Sequence, residues 1–346
     1  MSFEQQSSYI RNNYKLIFLY IIALVLAVIV GSRELSVGTD TLTYANRFFA
    51  MEEGEFFTFN REFGFQLFTY LAAQSGLGVK FYFTLISITL FILANKVVSE
   101  IDSINNDKKI DISLRYLVFS ALLVSPFFVS SQINAIRQGM AGFLIFYVYL
   151  CFQNREWGKC IVISIIAISI HYASVMYILL LGAIFVPLPL LLGGVAFLSI
   201  LYGIGGSAHL IAWISEVTNI ELYSSITSYQ QNYDYDSGVR YDFLLFSLFW
   251  VVFTMIFQSF WVKEQYQKTV ELCLKIYVIL LIPFLLLGFA NFSNRYAYTA
   301  WLFAAILVAV TVRYSTLWDK LNKLLPYVVF SSVVAFIVMI LNGFAR

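Results

Sequence analysis

Long apolar runs with few charges recur along almost the whole 346-residue chain and constrain its fold more than any other feature. About 20 apolar residues are enough for a helix to cross the hydrocarbon core of a bilayer. The runs lie near residues 16–32, 64–78, 80–98, 113–131, 139–153, 160–186, 187–206, 242–262, 274–290, 297–313 and 326–343. They are continuous rather than alternating, which favours helices over the strands of a membrane barrel. We therefore predict an all-α polytopic membrane protein, a bundle of about 10–12 transmembrane helices, some of them short or broken, forming a single domain over residues 1–346.

The composition supports the membrane assignment. Hydrophobic residues make up 60% of the chain and charged residues 12%, whereas soluble domains average about 45–50% and about 25%. The net charge of +2 is too small to indicate nucleic-acid binding. Cys151, Cys160 and Cys273 lie in or beside apolar runs at no metal-like spacing, so we expect buried thiols.

The basic loops predict how the chain is oriented, because cytoplasmic loops are enriched in lysine and arginine. Basic residues occur in the N-terminal segment, at Arg11 and Lys15, and in loops 106–109, 154–159, 263–275 and 313–323. We expect all of these inside. Residues 33–63 and 207–241 then form two extracytoplasmic loops over a lateral cavity, the first acidic and the second rich in tyrosine.

This orientation fails if every apolar run crosses the membrane once, because the loops at Arg155 and Lys263 then lie on opposite sides of the membrane. A break of the run 160–186 at His171–Tyr172 into two short antiparallel arms is one remedy. The run 64–78 is also short enough to enter the outer leaflet without crossing. Non-helical backbone at membrane depth occurs where protein or a water-filled cavity surrounds it. We therefore expect a functional site near these breaks.

Four ionisable residues interrupt or end the runs: Arg33, Arg137, His171 and Arg295. A charge within a membrane segment costs roughly 2.5–3.5 kcal/mol on insertion scales, so such residues are candidates for function. The predicted orientation places all four at outward helix ends. Each has a simpler interpretation, since an arginine can extend to the lipid headgroups and a histidine can be purely structural.

A cluster of guanidinium groups suits a multivalent anion, because arginine binds phosphate with a planar, permanently charged fork. At a membrane, the matching anion with an apolar tail is a lipid-linked phosphate or diphosphate. The candidate diphosphate-binding residues are Arg33, Arg137, Gln138, Asn294, Arg295 and Tyr296. Aromatic rings and carboxylates of the outer loops suit sugars, and an aromatic belt at the membrane interface is the alternative explanation for the tyrosines. The candidate sugar-binding residues are Tyr44, Tyr172, Arg240 and Tyr241.

The order of these motifs resembles the EpsG family, a branch of the Wzy-type polysaccharide polymerases. The resemblance spans residues 30–300 and is carried by motifs in a fixed order relative to the apolar runs. They are Arg33 with Val37–Gly38–Thr39–Asp40–Thr41 and Tyr44, then Arg61–Glu62–Phe63–Gly64–Phe65, Ile136–Arg137–Gln138, Ile170–His171–Tyr172–Ala173–Ser174 and Asn294–Arg295–Tyr296.

The resemblance implies a glycosyltransferase that joins oligosaccharide repeat units carried on undecaprenyl diphosphate. The reaction takes place at the outer face of the bacterial cytoplasmic membrane and releases undecaprenyl diphosphate. The family uses no cofactor or metal, and we read Asp234–Tyr235–Asp236 as part of a flexible acidic loop rather than a metal motif. A chain-length regulator and a flippase are the expected protein partners.

For this reaction we expect Arg137 and Arg295, with Arg33 as a third, to neutralise the leaving diphosphate. The acceptor hydroxyl needs a general base, and the candidates are His171, Glu62 and Asp40. We rank His171 first because imidazole titrates near neutrality. Glu62 comes second, because partial burial would raise the pKa of a carboxyl group. Asp40 follows Gly38 in a turn-like segment and could simply shape the loop.

Three other classes of membrane protein would also use cationic side chains or a histidine within the membrane. A flippase for lipid-linked oligosaccharide would need arginines in a cavity, but the inverted repeats typical of many transporters are not visible. A membrane O-acyltransferase would need a partner for His171 that the sequence does not show. A glycan ligase differs in the acceptor rather than the donor, so the sequence leaves it open.

Overall fold

The computed structural model describes residues 3–59, 62–105, 110–219, 221, 223–224 and 238–342. Helices make up 82% of the described residues. Within the described ranges, β-structure amounts to one antiparallel bridge between Val262 and Ser315. The predicted all-α class is confirmed.

The helices are numbered here in chain order. They are α1 Phe3–Gly31, α2 Thr41–Glu52, α3 Phe63–Gln74, α4 Gly78–Asn105, α5 Ile112–Leu123, α6 Pro126–Ile133, α7 Ile136–Gln153, α8 Trp157–Ile170, α9 Ser174–Leu179, α10 Leu188–Gly203, α11 Gly206–Thr218, α12 Tyr241–Phe260, α13 Gln267–Leu287, α14 Ser293–Arg313, α15 Trp318–Leu321 and α16 Leu325–Leu341. Short 3-10 helices cover Leu181–Phe185, Glu264–Tyr266 and Asn322–Leu324.

Six segments of the described chain are long and apolar enough to cross a membrane, and the number rises to eight if each of two bent helix pairs counts as one span. The six are Asn12–Gly31, Gly78–Asn105, Tyr241–Phe260, Glu264–Leu287, Ser293–Arg313 and Trp318–Leu341. The chain is therefore a multi-pass membrane protein. The remaining apolar runs form shorter helices, in keeping with the expectation that some would be short or broken.

Helix α3 is the short run that we expected near residues 64–78. Its 12 residues rise about 18 Å, well short of the roughly 30 Å of bilayer hydrocarbon. The run 160–186 breaks where the sequence suggested: α8 ends at Ile170, and His171 has extended backbone with φ −147° and ψ 111°. The chain then continues as α9 and the 3-10 helix Leu181–Phe185.

Two further runs are bent. Helices α5 and α6 meet at 71°, and α6 starts at Pro126, which has no N–H to continue the preceding helix. Helices α10 and α11 meet at 96° around Gly205, whose φ of +77° lies in the left-handed region. Both segments expected as outer loops contain helix: α2 lies within 33–63, and α11 extends from Gly206 into the start of 207–241.

The chain divides into two compact units, residues 1–175 with 316–346 and residues 176–315, so the single bundle domain stays a prediction. In the first unit, α7 packs against α4 and α8, α1 packs against α4, and α16 packs against α5. A buried aromatic core joins them: the Phe128 ring lies 5.4 Å from Phe91, 6.0 Å from Phe143 and 6.3 Å from Phe336, centroid to centroid.

The two ends of the first unit differ in character. At one end, the end of α1 approaches the start of α4, with the Arg33 guanidinium 4.3 Å from the Phe83 ring centroid. The starts of α2 and α7 and the end of α8 lie at the same end. At the opposite end, the Tyr116 hydroxyl donates to the carbonyl of Lys15 over 2.7 Å. The α7–α8 turn, which carries the basic residues Arg155 and Lys159, is on that opposite side.

The second unit is built around α13, which packs against α10, α12 and α14. At one end, the Tyr202 hydroxyl donates to the carbonyl of Gly288 over 3.2 Å and accepts from the N–H of Arg240 over 2.9 Å. At the other end, the N–H of Lys263 donates to the carbonyl of Tyr314 over 3.1 Å. The starts of α12 and α14 thus lie together, opposite the basic loop at Lys263.

Candidate functional site

Two motif residues of the first unit, Arg137 and His171, bond the carboxylate of a third, Glu62. Glu62 directly precedes α3, Arg137 is the second residue of α7, and His171 directly follows α8. The Glu62 Oε1 atom accepts from His171 Nδ1 over 2.8 Å and from the N–H of Tyr172 over 3.2 Å. The Glu62 Oε2 atom accepts from the Arg137 guanidinium. We call Glu62, Arg137 and His171 the carboxylate cluster.

The close approach of α3 to α8 makes these contacts possible. Gly64 lies in the first turn of α3, and a Cβ placed there would be 2.2 Å from the Ser169 hydroxyl oxygen and 2.8 Å from the Ser169 Cβ. Side-chain atoms do not tolerate such distances, so only glycine fits. Because Gly64 is two residues from Glu62 and Ser169 is two residues from His171, this contact sets how near the carboxylate lies to the imidazole.

The charge of Glu62 is stabilised by its partners. Burial by itself would raise the pKa of this carboxyl, but the hydrogen bond from His171 and the positive charge of Arg137 outweigh it and hold the pKa below its ordinary value. The expected net rise in the pKa of Glu62 is therefore wrong, because its partners reverse the effect of burial. A carboxylate accepts but does not donate, so His171 Nδ1 carries the proton of the shared bond and Nε2 is the ring nitrogen left for other partners.

Tyr44 and Tyr172 border the carboxylate cluster in different ways. Tyr44 is buried, and its ring centroid lies 6.0 Å from the guanidinium carbon of Arg137. Tyr172 contacts the cluster through its backbone, while its side chain is 46% exposed and could reach a bound molecule. Gln138 follows Arg137 in the first turn of α7 and is half-buried.

Arg33 lies at the same end of the first unit but is buried, with 6% of its surface exposed. Its guanidinium donates to the carbonyl of Val30 over 2.7 Å and to the Thr41 hydroxyl over 3.3 Å. Burial lowers the pKa of Arg33 to about 10, so the group keeps its charge at neutral pH. These contacts join the end of α1 to the start of α2.

Asp40 is exposed and belongs to a loop held by its backbone. The N–H of Asp40 donates to the Asn134 side-chain oxygen over 3.3 Å. Gly38 has a φ of +92°, and a Cβ there would lie 2.5 Å from the same Asn134 oxygen. The Gly38–Thr39–Asp40 turn is therefore fitted to the end of α6, next to α7 and Arg137.

The other candidate residues form a group in the second unit. Arg295, Asn294 and Tyr296 lie in the first turn of α14, and the Arg295 guanidinium carbon is 4.4 Å from the Phe292 ring centroid. Arg295 is exposed, and the carbonyl of Tyr296 accepts from the Tyr177 hydroxyl over 3.1 Å. Phe292 has a φ of +59°, a left-handed conformation at the residue that begins the helix.

Arg240 and Tyr241 lie at the same end of the second unit, at the start of α12. Arg240 pairs with Asp242 through two hydrogen bonds of 3.0 and 2.7 Å, and its guanidinium carbon is 4.0 Å from the Phe243 ring centroid. Tyr241 is 59% exposed, and its hydroxyl donates to the carbonyl of Gly203 over 2.7 Å.

Sequence reasoning named every member of the carboxylate cluster but treated Glu62 as an alternative to His171 and not as its partner. It also missed the supporting roles of Gly64, Ser169 and Thr41. Gly64 stood inside a quoted motif, and its place two residues after Glu62 was the available signal. Arg61, Tyr229, Tyr233, Tyr235 and the Asp234–Asp236 segment lie outside the described residues.

The apolar helices define a multi-pass α-helical membrane protein, and its first unit carries a polar cluster at one end. A family model described as the EpsG family matches residues 16–345, so the chain belongs to the EpsG family, a Wzy-type polymerase family. This membership confirms the resemblance and supports a polysaccharide polymerase-like role. No curated protein and no solved structure matches the chain.

Proposed function

We propose that the protein polymerises oligosaccharide repeat units carried on undecaprenyl diphosphate, at the outer face of the bacterial cytoplasmic membrane. The observation that carries the proposal is the bonding of Glu62 to both Arg137 and His171 in a member of the EpsG family. An anion-binding arginine and a proton-accepting imidazole held by one carboxylate are the two groups that this transfer needs.

Different residues act on the acceptor and on the donor. His171 Nε2 takes the proton from the acceptor hydroxyl as its oxygen bonds to the anomeric carbon of the donor. The bond from the anomeric carbon to the diphosphate oxygen breaks, and its electron pair leaves with undecaprenyl diphosphate. Arg137 neutralises the charge that grows on this leaving group, and each such preorganised contact contributes several kcal/mol to catalysis. In the second unit, Arg295 is a separate candidate for binding a diphosphate.

The other candidates support the bound substrates. In the first unit, Gln138 offers hydrogen bonds to a diphosphate next to Arg137, and Tyr172 offers a surface to a sugar. In the second unit, Asn294 and Tyr296 are the candidates for diphosphate binding beside Arg295, and Arg240 and Tyr241 are the candidates for sugar binding. Tyr44 shapes the Arg137 side of the site. We assign Arg33 and Asp40 to holding the α1–α2 segment, because Arg33 is buried in hydrogen bonds and Asp40 is fixed through its backbone.

The test uses purified protein in detergent with lipid-linked repeat units and displays the products on a gel. The wild-type protein should produce a ladder of longer glycans, whereas a flippase would leave the units unchanged. Arg137→Ala should reduce the rate about 100- to 1000-fold, the usual cost of losing one preorganised contact to a developing anion. Arg137→Lys should recover little, because lysine lacks the planar fork.

Arg313→Ala is the matched control, since Arg313 is also an arginine of a membrane helix but lies at the opposite end of its unit, beside Tyr314. It should retain the ladder. Full activity of Arg137→Ala at normal protein levels would remove Arg137 from the site. A wild-type protein that transfers finished glycan to another lipid acceptor without lengthening it would instead indicate a ligase.

A further inference from the structure

The two oxygens of Glu62 are divided between partners of different kinds. Oε1 accepts two hydrogen bonds, from His171 Nδ1 and from the Tyr172 backbone, on a segment fixed at the end of α8. Oε2 accepts from Arg137, a long side chain that reaches over from the start of α7. One oxygen of the carboxylate is thus held by an imidazole and a backbone N–H, and the other is held by a long arginine side chain.

The exposed member of the cluster is the arginine. The Arg137 side chain is 41% exposed, compared with 23% for Glu62 and 25% for His171. An anion approaching the cluster therefore meets Arg137 first. A diphosphate carries more negative charge than a carboxylate and matches the guanidinium fork with several oxygens, so it competes well for the nitrogen that Glu62 holds.

Loss of the bond from Arg137 changes the electrostatic effect of the Glu62 carboxylate on the His171 imidazole. While Arg137 is bonded to Oε2, its positive charge offsets much of the negative charge that the imidazole faces. Once Arg137 turns to the diphosphate, the full carboxylate charge acts on the Nδ1–H bond and stabilises the imidazolium that forms when Nε2 accepts a proton. The Tyr172 N–H keeps the carboxylate in place during the exchange.

We propose that Glu62 is a positioning residue that couples donor binding to activation of the base: the donor diphosphate takes Arg137 away from Glu62, and the charge of Glu62 then acts more strongly on His171. This inference rests on the proposed function. Its consequence is an order of events, because the acceptor hydroxyl loses its proton readily only when a donor diphosphate is already bound.

The chain is well suited to a direct test because it contains two histidines, His171 and His209. Histidine-selective 15N labelling of the purified protein should give two sets of ring signals, and His209→Gln assigns them. Farnesyl diphosphate serves as the probe, with farnesol as the control that lacks the anion. On addition of farnesyl diphosphate, the His171 Nδ1–H proton should move downfield as its bond to Glu62 strengthens, while farnesol should leave it unchanged.

Glu62→Gln separates the proposed exchange from a direct effect of the diphosphate charge on the imidazole. In this variant, the downfield movement should be lost although farnesyl diphosphate still binds. Glu62→Asp, whose shorter side chain cannot span both partners, should show the same loss and covers the case in which the glutamine variant fails to fold. An unchanged His209 signal shows that a variant remains folded around that residue.

Three results would overturn the proposal. An equal movement in wild type and Glu62→Gln would mean that the diphosphate acts on His171 directly. Binding without movement of the His171 signal, in a protein that does elongate glycans, would reject the coupling and leave the proposed function standing. Absence of any farnesyl diphosphate binding, together with absence of elongation, would reject both.

Discussion

At the scale of single residues, two arginines of similar sequence context have different roles. Arg33 and Arg137 both stand at helix ends beside apolar runs, and both belong to motifs of the EpsG resemblance. Arg33 is buried and donates to Val30 and Thr41, whereas the Arg137 side chain is 41% exposed and bonds a carboxylate. A guanidinium that is to bind a ligand must be reachable, so the difference in exposure favours Arg137 over Arg33 as the ligand-binding arginine.

The depressed pKa of Glu62 leads to a prediction about stability and pH. A carboxyl whose pKa is lower in the folded protein than in the unfolded chain stabilises the fold when ionised. This contribution is complete above the unfolded value, near 4.5, and is lost as the pH falls through the lower folded value. Wild type should therefore have a higher Tm than Glu62→Gln near neutral pH, and the difference should shrink as the pH drops below 4.5.

Thermal unfolding in detergent, followed by intrinsic fluorescence across this pH range, measures the effect. Glu52→Gln is the control, because Glu52 is an exposed glutamate at the end of α2 in the same outer segment. Its difference from wild type should stay small at every pH. A Tm difference for Glu62→Gln that does not change with pH would mean that the ionised carboxylate contributes nothing to the fold.

At the scale of helices, the carboxylate cluster is formed where several helices begin or end. Helix α3 is too short to cross, α8 ends at Ile170, and α6 and α7 are separated by Asn134 and Ala135. Each end leaves backbone groups without helical partners, and polar side chains collect there: the Tyr172 N–H bonds Glu62, and the carbonyl of Ile133 accepts from Thr41 over 3.0 Å. The cluster is thus made from helix ends.

The contact between α3 and α8 can be tested at Gly64. Gly64→Ala places a methyl group where the Ser169 side chain now lies, so α3 must shift away from α8. Overpacking of this kind costs about 1–3 kcal/mol, and the shift moves Glu62 away from His171. We expect a lower Tm together with a large loss of polymerase activity, and Ser169→Gly in the same protein should restore part of both.

Gly158→Ala is the matched control, because Gly158 is a helical glycine of α8 with no atom near the position of an added Cβ. It should retain stability and activity. Normal activity of Gly64→Ala would show that the distance between Glu62 and His171 has little importance for the reaction.

At the scale of the whole molecule, the basic residues of each unit lie at one end of that unit. In the first unit, the basic residues Lys15, Arg155 and Lys159 lie at the end opposite to the carboxylate cluster. In the second unit, Lys263 and Arg313 lie opposite to Arg240 and Arg295. For each unit taken by itself, the positive-inside rule predicts that the basic end faces the cytoplasm and that the opposite end faces outward.

Cysteine labelling tests this orientation, because Cys151, Cys160 and Cys273 are buried and should react little with an impermeant maleimide. Glu53→Cys and Asp242→Cys, at exposed positions, should be labelled in intact cells. Lys159→Cys and Lys268→Cys should be labelled only after permeabilisation, and the unsubstituted protein provides the background. Labelling of the residue 242 and residue 268 positions from the same side would contradict the assignment.

The helical membrane fold can be predicted from the sequence, because only helices satisfy the backbone of so many long, continuous apolar runs in lipid. The sequence also indicated the break at His171 and the shortness of α3, since a histidine within an apolar run and a run too short to span are local features. The candidate residues were likewise visible, because charges in apolar surroundings are costly and therefore stand out.

Which of those residues contact one another depends on the packing of the helices. The pairing of Glu62 with Arg137 and His171 joins positions 75 and 109 residues apart, and no local pattern specifies which distant helix ends will meet. The burial of Arg33, the direction of the pKa shift of Glu62 and the close contact of Gly64 with Ser169 follow from that packing. The hydrophobic pattern and the free-energy cost of a charge in apolar surroundings are local properties of the sequence. The contacts of a site, in contrast, arise from helix packing between remote segments.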